Sequence, residues 1–268
     1  MKLKYKVYIV AIVVIVIAIV LFFANKNFKS KKISQIDIKI NTQGGAELIT
    51  EEDIKGIILK GFDSISNKMV KEVDLKGIED SIEKNIYVQD VDAYISLDAA
   101  LNIYVLQSKP IARVFNTHGE SFFINTSGRL MPIGSVATEG LVVASGNIIE
   151  KYEPETKLLN LDSVPYEDCN NVSTLNKIFL IAEAISKDSL LNKLITQIYV
   201  NSNKSYELIP IIGSQNILLG DVDELERKLS NLNIFYKEGY KKFYFEKYKT
   251  IDIRFTNQVV CIKKDTIK

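Results

Sequence analysis

The chain has 268 residues, enough for two modest domains and an anchor. Its formal charge of +1 becomes −2 once the three lysines ahead of an apolar N-terminal run are set aside, so no strong positive field is available to steer nucleic acid. Two cysteines far apart in sequence, Cys169 and Cys261, exclude a disulfide-dense scaffold and offer no CxxC pair for zinc; two free thiols are expected over a single disulfide.

Residues 1–6 form a short basic tail. Val7–Ala24 follows without a charge, and 14 of its residues are Ile, Val, Leu or Phe. At about −0.4 kcal/mol each, these favour membrane insertion by roughly 6 kcal/mol, and a helix of this length spans about 27 Å of a roughly 30 Å hydrocarbon core. The run is longer than the apolar region of a secretory signal, and "FFANKNFKSKK" supplies no small-x-small cleavage site. An uncleaved transmembrane helix over 7–24 is expected, with cleavage as the competing view. Lysines flank both ends, so the positive-inside rule does not orient it.

A polar linker, 25–35, leads to a strand in which Ile36, Ile38 and Ile40 alternate with Asp37 and Lys39. Gly44-Gly45 marks a loop. Thr50 and Asp53 sit at capping-box spacing ahead of a helix with an Ile54, Ile57, Ile58 stripe that ends at Gly61. Asp74 caps a second helix, with Val73 and Ile78 at staple spacing and Ile82 on the same face. Two strands follow, through Val91–Leu97 and Leu101–Val105. The order β-α-α-β-β is a compact α+β unit.

The remainder is richer in strands. "ESFFINTSGRLMPIG" and "LVVASGN" predict strands with turns at Asn125–Gly128 and Gly146-Asn147. Ser173 caps a helix carrying Leu175, Ile178, Phe179, Ala182 and Ile185. Strands are expected over Ile195–Val200, Tyr206–Ile212 and "ILLGD", then a helix with Leu225, Leu229 and Leu232 behind an Asp221/Glu224 capping box. Ile251, Ile253 and Phe255 alternate with Asp252 and Arg254, Thr256–Gln258 turns the chain, and Val259–Ile262 returns as the last strand.

Catalytic signatures are not found. His118, in "NTHGES", has no second histidine to share a metal or a triad. No GxSxG, SxxK, GxGxxG or GxxxxGK[ST] string occurs. Glu51-Glu52-Asp53 fits the first turn of a helix, and Glu79, Asp80 and Glu83 read as a solvated helix face. A non-enzymatic binding or scaffolding protein without cofactor, metal or small-molecule substrate is expected. A membrane-anchored hydrolase is the rival, and it requires a concave site of convergent titratable groups.

Several strings together resemble the bacterial cell-division family FtsQ/DivIB. They are Tyr104–Val114 ("YVLQSKPIARV"), Ser121–Pro132 ("SFFINTSGRLMP", with Asn125 where the family usually has aspartate), Tyr206–Asp221 and Tyr248–Lys264. A tryptophan frequent in that family before the terminal hairpin is missing, as the chain has none. The resemblance implies an α+β architecture: a single transmembrane helix, a POTRA domain over 36–114 and an FtsQ-type β-domain over 115–268. It implies a single-pass (type II) protein of the cytoplasmic membrane at the division septum, its bulk extracytoplasmic. Its partners would be FtsB/DivIC-type and FtsL-type proteins, received on the last strands, and its role the recruitment and control of septal peptidoglycan synthesis. The residues so implicated are Phe255, Asn257, Gln258, Val259, Val260, Cys261, Ile262 and Lys263. A membrane-anchored POTRA chaperone for envelope protein assembly is the alternative within the same resemblance.

Overall fold

The computed structural model describes residues 2–61, 65, 68–133, 140–154, 156–158, 172–239, 247–256 and 258–264, with 2–11 as backbone only. Asn257 and Cys169 lie outside the described residues. The chain divides into two compact units, Met1–Gln107 and Ser108–Lys268.

The first unit opens with α1 (Lys2–Lys29), a single 28-residue helix. Its stretch Ile12–Lys29 has a mean hydropathy of 2.0 and is covered by nothing else in the described protein, which makes it a candidate membrane span. The expected linker over 25–35 is therefore partly helical. Its remainder is tied down: Ile33 is buried, and Lys32 forms an antiparallel bridge to Met69.

After α1 come β1 (Ile36–Asn41), α2 (Glu51–Gly61), α3 (Leu75–Glu83), β2 (Val88–Ile95) and β3 (Leu101–Gln107). The strands form a three-stranded sheet of order β1-β3-β2, with β1 parallel and β2 antiparallel to β3. Both helices bury their isoleucines on it: Ile54 and Ile58 from α2, Ile78 and Ile82 from α3, against Ile38, Val91, Leu101, Ile103 and Val105. Their starts follow the local sequence. The Thr50 Oγ1 accepts from the Asp53 N–H at 3.2 Å, and the Asp53 carboxylate accepts from the Thr50 N–H at 2.9 Å, which completes the box. At α3 the Asp74 carboxylate accepts from the Gly77 N–H at 3.0 Å.

Two polar side chains hold backbone groups of this unit. Gln107, 1 % exposed, accepts from Leu48 N–H at 2.7 Å and donates to the Ala46 carbonyl at 2.8 Å, so it fixes the loop entering α2. Glu79 is not a solvated face residue. Its carboxylate accepts from the Ala93 N–H of the edge strand β2 at 2.7 Å, occupying a backbone group that an edge otherwise leaves open.

The second unit contains β4 (Pro110–Phe115), β5 (Ser121–Asn125), β6 (Leu130–Pro132), β7 (Val142–Gly146), α4 (Thr174–Lys187), the one-turn α5 (Leu191–Leu194), β8 (Ile195–Val200), β9 (Tyr206–Pro210), β10 (Asn216–Gly220), α6 (Leu225–Gly239), β11 (Tyr248–Asp252) and β12 (Val260–Lys263). The boundary expected between Val114 and Phe115 falls earlier, because Pro110–Phe115 pairs with β5 and β7 in the second unit's sheet. That sheet has nine strands in the order β12-β11-β10-β9-β8-β7-β4-β5-β6. Its middle is parallel: β4 with β7, and β7 with β8. One further parallel pair, β10 with β11, is bridged by α6. α4 is buried nearly all round, and its Ile178, Phe179, Ile181 and Ile185 join Ile198, Leu208, Ile217 and Ile251 in one core.

The expected capping box at α6 does not form. Asp221 instead takes the buried Lys177 Nζ of α4 at 2.7 Å and its neighbour's N–H, while Glu224, at φ +47°, pairs with Arg227. A buried cation left without its carboxylate costs more than one cap gains, so Asp221 goes to Lys177. Lys228, 2 % exposed, donates to the Asp221 carbonyl and to Asp223, closing the same loop.

Replacing Thr50 with Ala removes the box and is expected to destabilise the first unit by about 1 kcal/mol. Urea unfolding followed by circular dichroism checks this, and an unchanged midpoint contradicts it.

Candidate functional site

A sheet that does not close has two edge strands, each with a row of backbone groups lacking a neighbour. Here they are β6 and β12. β6 has three residues and ends in Pro132, which has no N–H to offer. The chain beside it is engaged as well: Arg129 bridges Lys157, and Leu158 N–H donates to the Gly128 carbonyl at 2.8 Å. Gly128, at φ +73°, allows that approach, since a Cβ there would lie 2.7 Å from the Leu158 oxygen. This edge is short, and the chain that leads into it is engaged.

The edge at β12 is built differently. It pairs antiparallel with β11, with Asp252 opposite Val260, Ile251 opposite Cys261 and Thr250 opposite Ile262. Its outer side pairs with no strand among the described residues. Val259 and Cys261 pack against the core, and burial pushes the Cys261 thiol up. Ile262 is 54 % exposed, and Lys263 and Gln258 are exposed. Past the strand, Lys264 N–H donates to the Lys247 carbonyl at 2.9 Å and its Nζ to Ser214 Oγ at 2.6 Å, so β12 is tied at its far end.

The turn before β12 departs from simple alternation. β11 stops at Asp252, and Asp252 is buried at 6 % exposure rather than facing solvent. Arg254 clamps it through Nε at 2.9 Å and NH2 at 2.5 Å, with the Arg254 N–H adding a third donor at 3.1 Å. Ile253 stays in the core, but Phe255 turns out to 45 % exposure and belongs to neither strand. Two neighbours fix this shape. Gly220, at φ +80°, leaves room for the Arg254 stem, whose Cδ would stand 3.1 Å from a Cβ there. Arg227 of α6 donates to the carbonyls of Phe255 at 3.0 Å and Thr256 at 3.1 Å.

The site therefore consists of an open strand, Val260–Lys263, with an outward isoleucine, a solvent-facing phenylalanine at its head and a cationic border of Lys247, Lys249, Lys263 and Lys264. Of the residues implicated from sequence, Gln258 to Lys263 lie along it and Phe255 at its entrance; Asn257 lies outside the described residues. Arg227 and Arg254, which shape the entrance, were not singled out. Arg227 comes from another element, and no local pattern points to it. Such an arrangement takes an extended segment by main-chain pairing.

Comparison with known proteins gives two matches. A family described as FtsQ/DivIB, C-terminal related, matches residues 109–262, and a POTRA-like domain matches residues 31–106. None of the curated proteins matches.

The Arg254 hydrogen bonds hold the Asp252 carboxyl below the usual aspartate range, against the opposing effect of burial. A depressed folded value means that the clamp's contribution to stability is complete above roughly pH 4 and is lost as pH falls through the lower folded value. In Arg254→Ala the Asp252 midpoint is expected to rise. A carbon-13 carboxyl titration reads this directly, and an unmoved midpoint contradicts the clamp.

Proposed function

The chain belongs to the FtsQ/DivIB family, a family of cell-division scaffolds, and from that premise we propose that its last strand receives a strand from an FtsB/DivIC-type partner. The observation that carries this reading is the contrast between the two ends of the nine-stranded sheet: β6 is short, ends in proline and is entered from an engaged turn, whereas β12 is tied at its far end and its outer side pairs with no strand among the described residues. Main-chain pairing with a partner strand satisfies the open groups. Ile262 and Phe255 supply apolar contact, and the lysine border favours an acidic partner segment.

On this reading the protein is non-enzymatic. α1 anchors it in the cytoplasmic membrane as a single-pass (type II) protein with both units extracytoplasmic, and it acts at the division septum. With the FtsB/DivIC-type partner comes an FtsL-type protein, and the assembly recruits and regulates septal peptidoglycan synthesis. The domain organisation proposed is a cytoplasmic tail, the membrane helix, a POTRA domain and an FtsQ-type β-domain.

Two variants of the full chain test the edge. Removal of the last ten residues deletes all of β12, and Val260→Pro places a residue without an N–H in it. Both are expected to abolish capture by the soluble segments of the partners in a pull-down, with the circular dichroism of the first unit's helices retained. Capture that survives both variants moves the site elsewhere.

A further inference from the structure

We propose that the pole of the first unit next to α1 binds acidic lipid headgroups, through six lysines that the fold gathers from two distant segments. This rests on the reading of α1 as a membrane span. Lys26 and Lys29 stand exposed in the last turns of that helix, and Lys31 and Lys32 follow it, also exposed. The second contribution comes from 68–72. The Lys32–Met69 bridge, with Ile33 N–H donating to the Lys68 carbonyl at 3.1 Å and Val70 N–H to the Lys31 carbonyl at 2.9 Å, lays Lys68 and Lys71 alongside the first four. The end of α1 lies against the turn Val70–Glu72.

A third segment joins the same pole. Lys31 Nζ donates to the Leu97 carbonyl at 3.2 Å, and Ser34 N–H donates to the Ala99 carbonyl at 2.9 Å, which draws the β2–β3 turn up to the emerging chain. Leu97 at its tip is 85 % exposed, the most exposed large apolar side chain of the described protein. Nearby carboxylates are engaged within their own segments: Glu72 accepts from Met69 N–H, Asp74 from Gly77 N–H and Asp98 from the Ser96 hydroxyl. These three carboxylates keep their charge, and Asp98 interacts with Lys31, but six lysines outnumber them.

Position selects the ligand. The cluster begins within the last two turns of an apolar helix, where phosphate headgroups lie once that helix crosses a bilayer. An exposed leucine among lysines suits the headgroup–acyl boundary, where apolar insertion and attraction to anionic lipid act together. Bound in this way, the POTRA-like unit would be held down on the membrane surface at the end of its anchoring helix.

The test uses the full-length protein in nanodiscs of phosphatidylcholine, with and without phosphatidylglycerol, read by hydrogen exchange at amides 68–72 and 96–99. Phosphatidylglycerol is expected to slow exchange severalfold at both segments. Lys68→Glu with Lys71→Glu is expected to cancel that slowing while β3 amides keep their protection, which reports an intact fold. Leu97→Ser is expected to weaken it at 96–99. Equal exchange in the two lipids overturns the proposal, as does an undiminished lipid effect in the double variant. Inorganic phosphate added to phosphatidylcholine discs is expected to change nothing; the same protection from phosphate would mean a soluble-anion site instead. Protein that does not co-elute with the discs overturns the membrane-span reading, and the proposal falls with it.

Discussion

The backbone N–H and C=O groups of an edge strand need partners, and a nine-stranded sheet that stays open has two such edges to provide for. This constraint organises the second unit. One end shortens to three residues, finishes on a proline and is entered from a turn that Leu158 and Lys157 engage. The other end does the reverse. Contacts hold β12 at both ends: Lys264 ties its far end to the 247 backbone and to Ser214, while Arg227 and Arg254 set the turn before it. The three-stranded sheet of the first unit meets the same constraint on one side with a single carboxylate, Glu79, against the edge N–H of Ala93.

Presenting the edge depends on α6. The helix carries the chain from β10 to β11 in the same direction, so that β11 can lie parallel to β10 and leave β12 outermost. Lys228 and Lys177 close the loop at its start around Asp221, both cations buried and both bonded. One turn further into the helix, Arg227 reaches across to Phe255 and Thr256. The same short stretch thus holds the helix on the core with one lysine and shapes the candidate site with the adjacent arginine. Core packing and the shape of the candidate site are joined there, with the loop as the joint.

Much was legible in the chain. Amphipathic periods located α2, α3, α4, α6 and nearly every strand of the described residues, though not the one-turn α5, because a half-buried element must repeat its apolar face at 3.6 or 2 residues whatever it packs against. Thr50, Asp74 and Ser173 marked helix starts because an N-cap satisfies donors within three residues, a purely local bond. The β-α-α-β-β order, the apolar helix and the terminal strand were readable for the same reason, and the strings resembling FtsQ/DivIB named the family that the comparisons bear out.

What the sequence alone determined was where the elements lie and which face of each is apolar. Only the tertiary structure decided how their polar groups are spent. Asp221 leaves the expected cap for Lys177, forty-four residues away, because a buried ammonium outranks one N–H. Asp252 turns inward under Arg254, and Phe255 turns outward under Arg227, against the period-two pattern. Strand order likewise escapes local reading, since Pro110–Phe115 is equally apolar in either unit and joins the second because β5 and β7 lie beside it. Periodicity tells a strand which side to bury; its neighbours, supplied by distant parts of the chain, determine its sheet, its direction and whether its edge stays open.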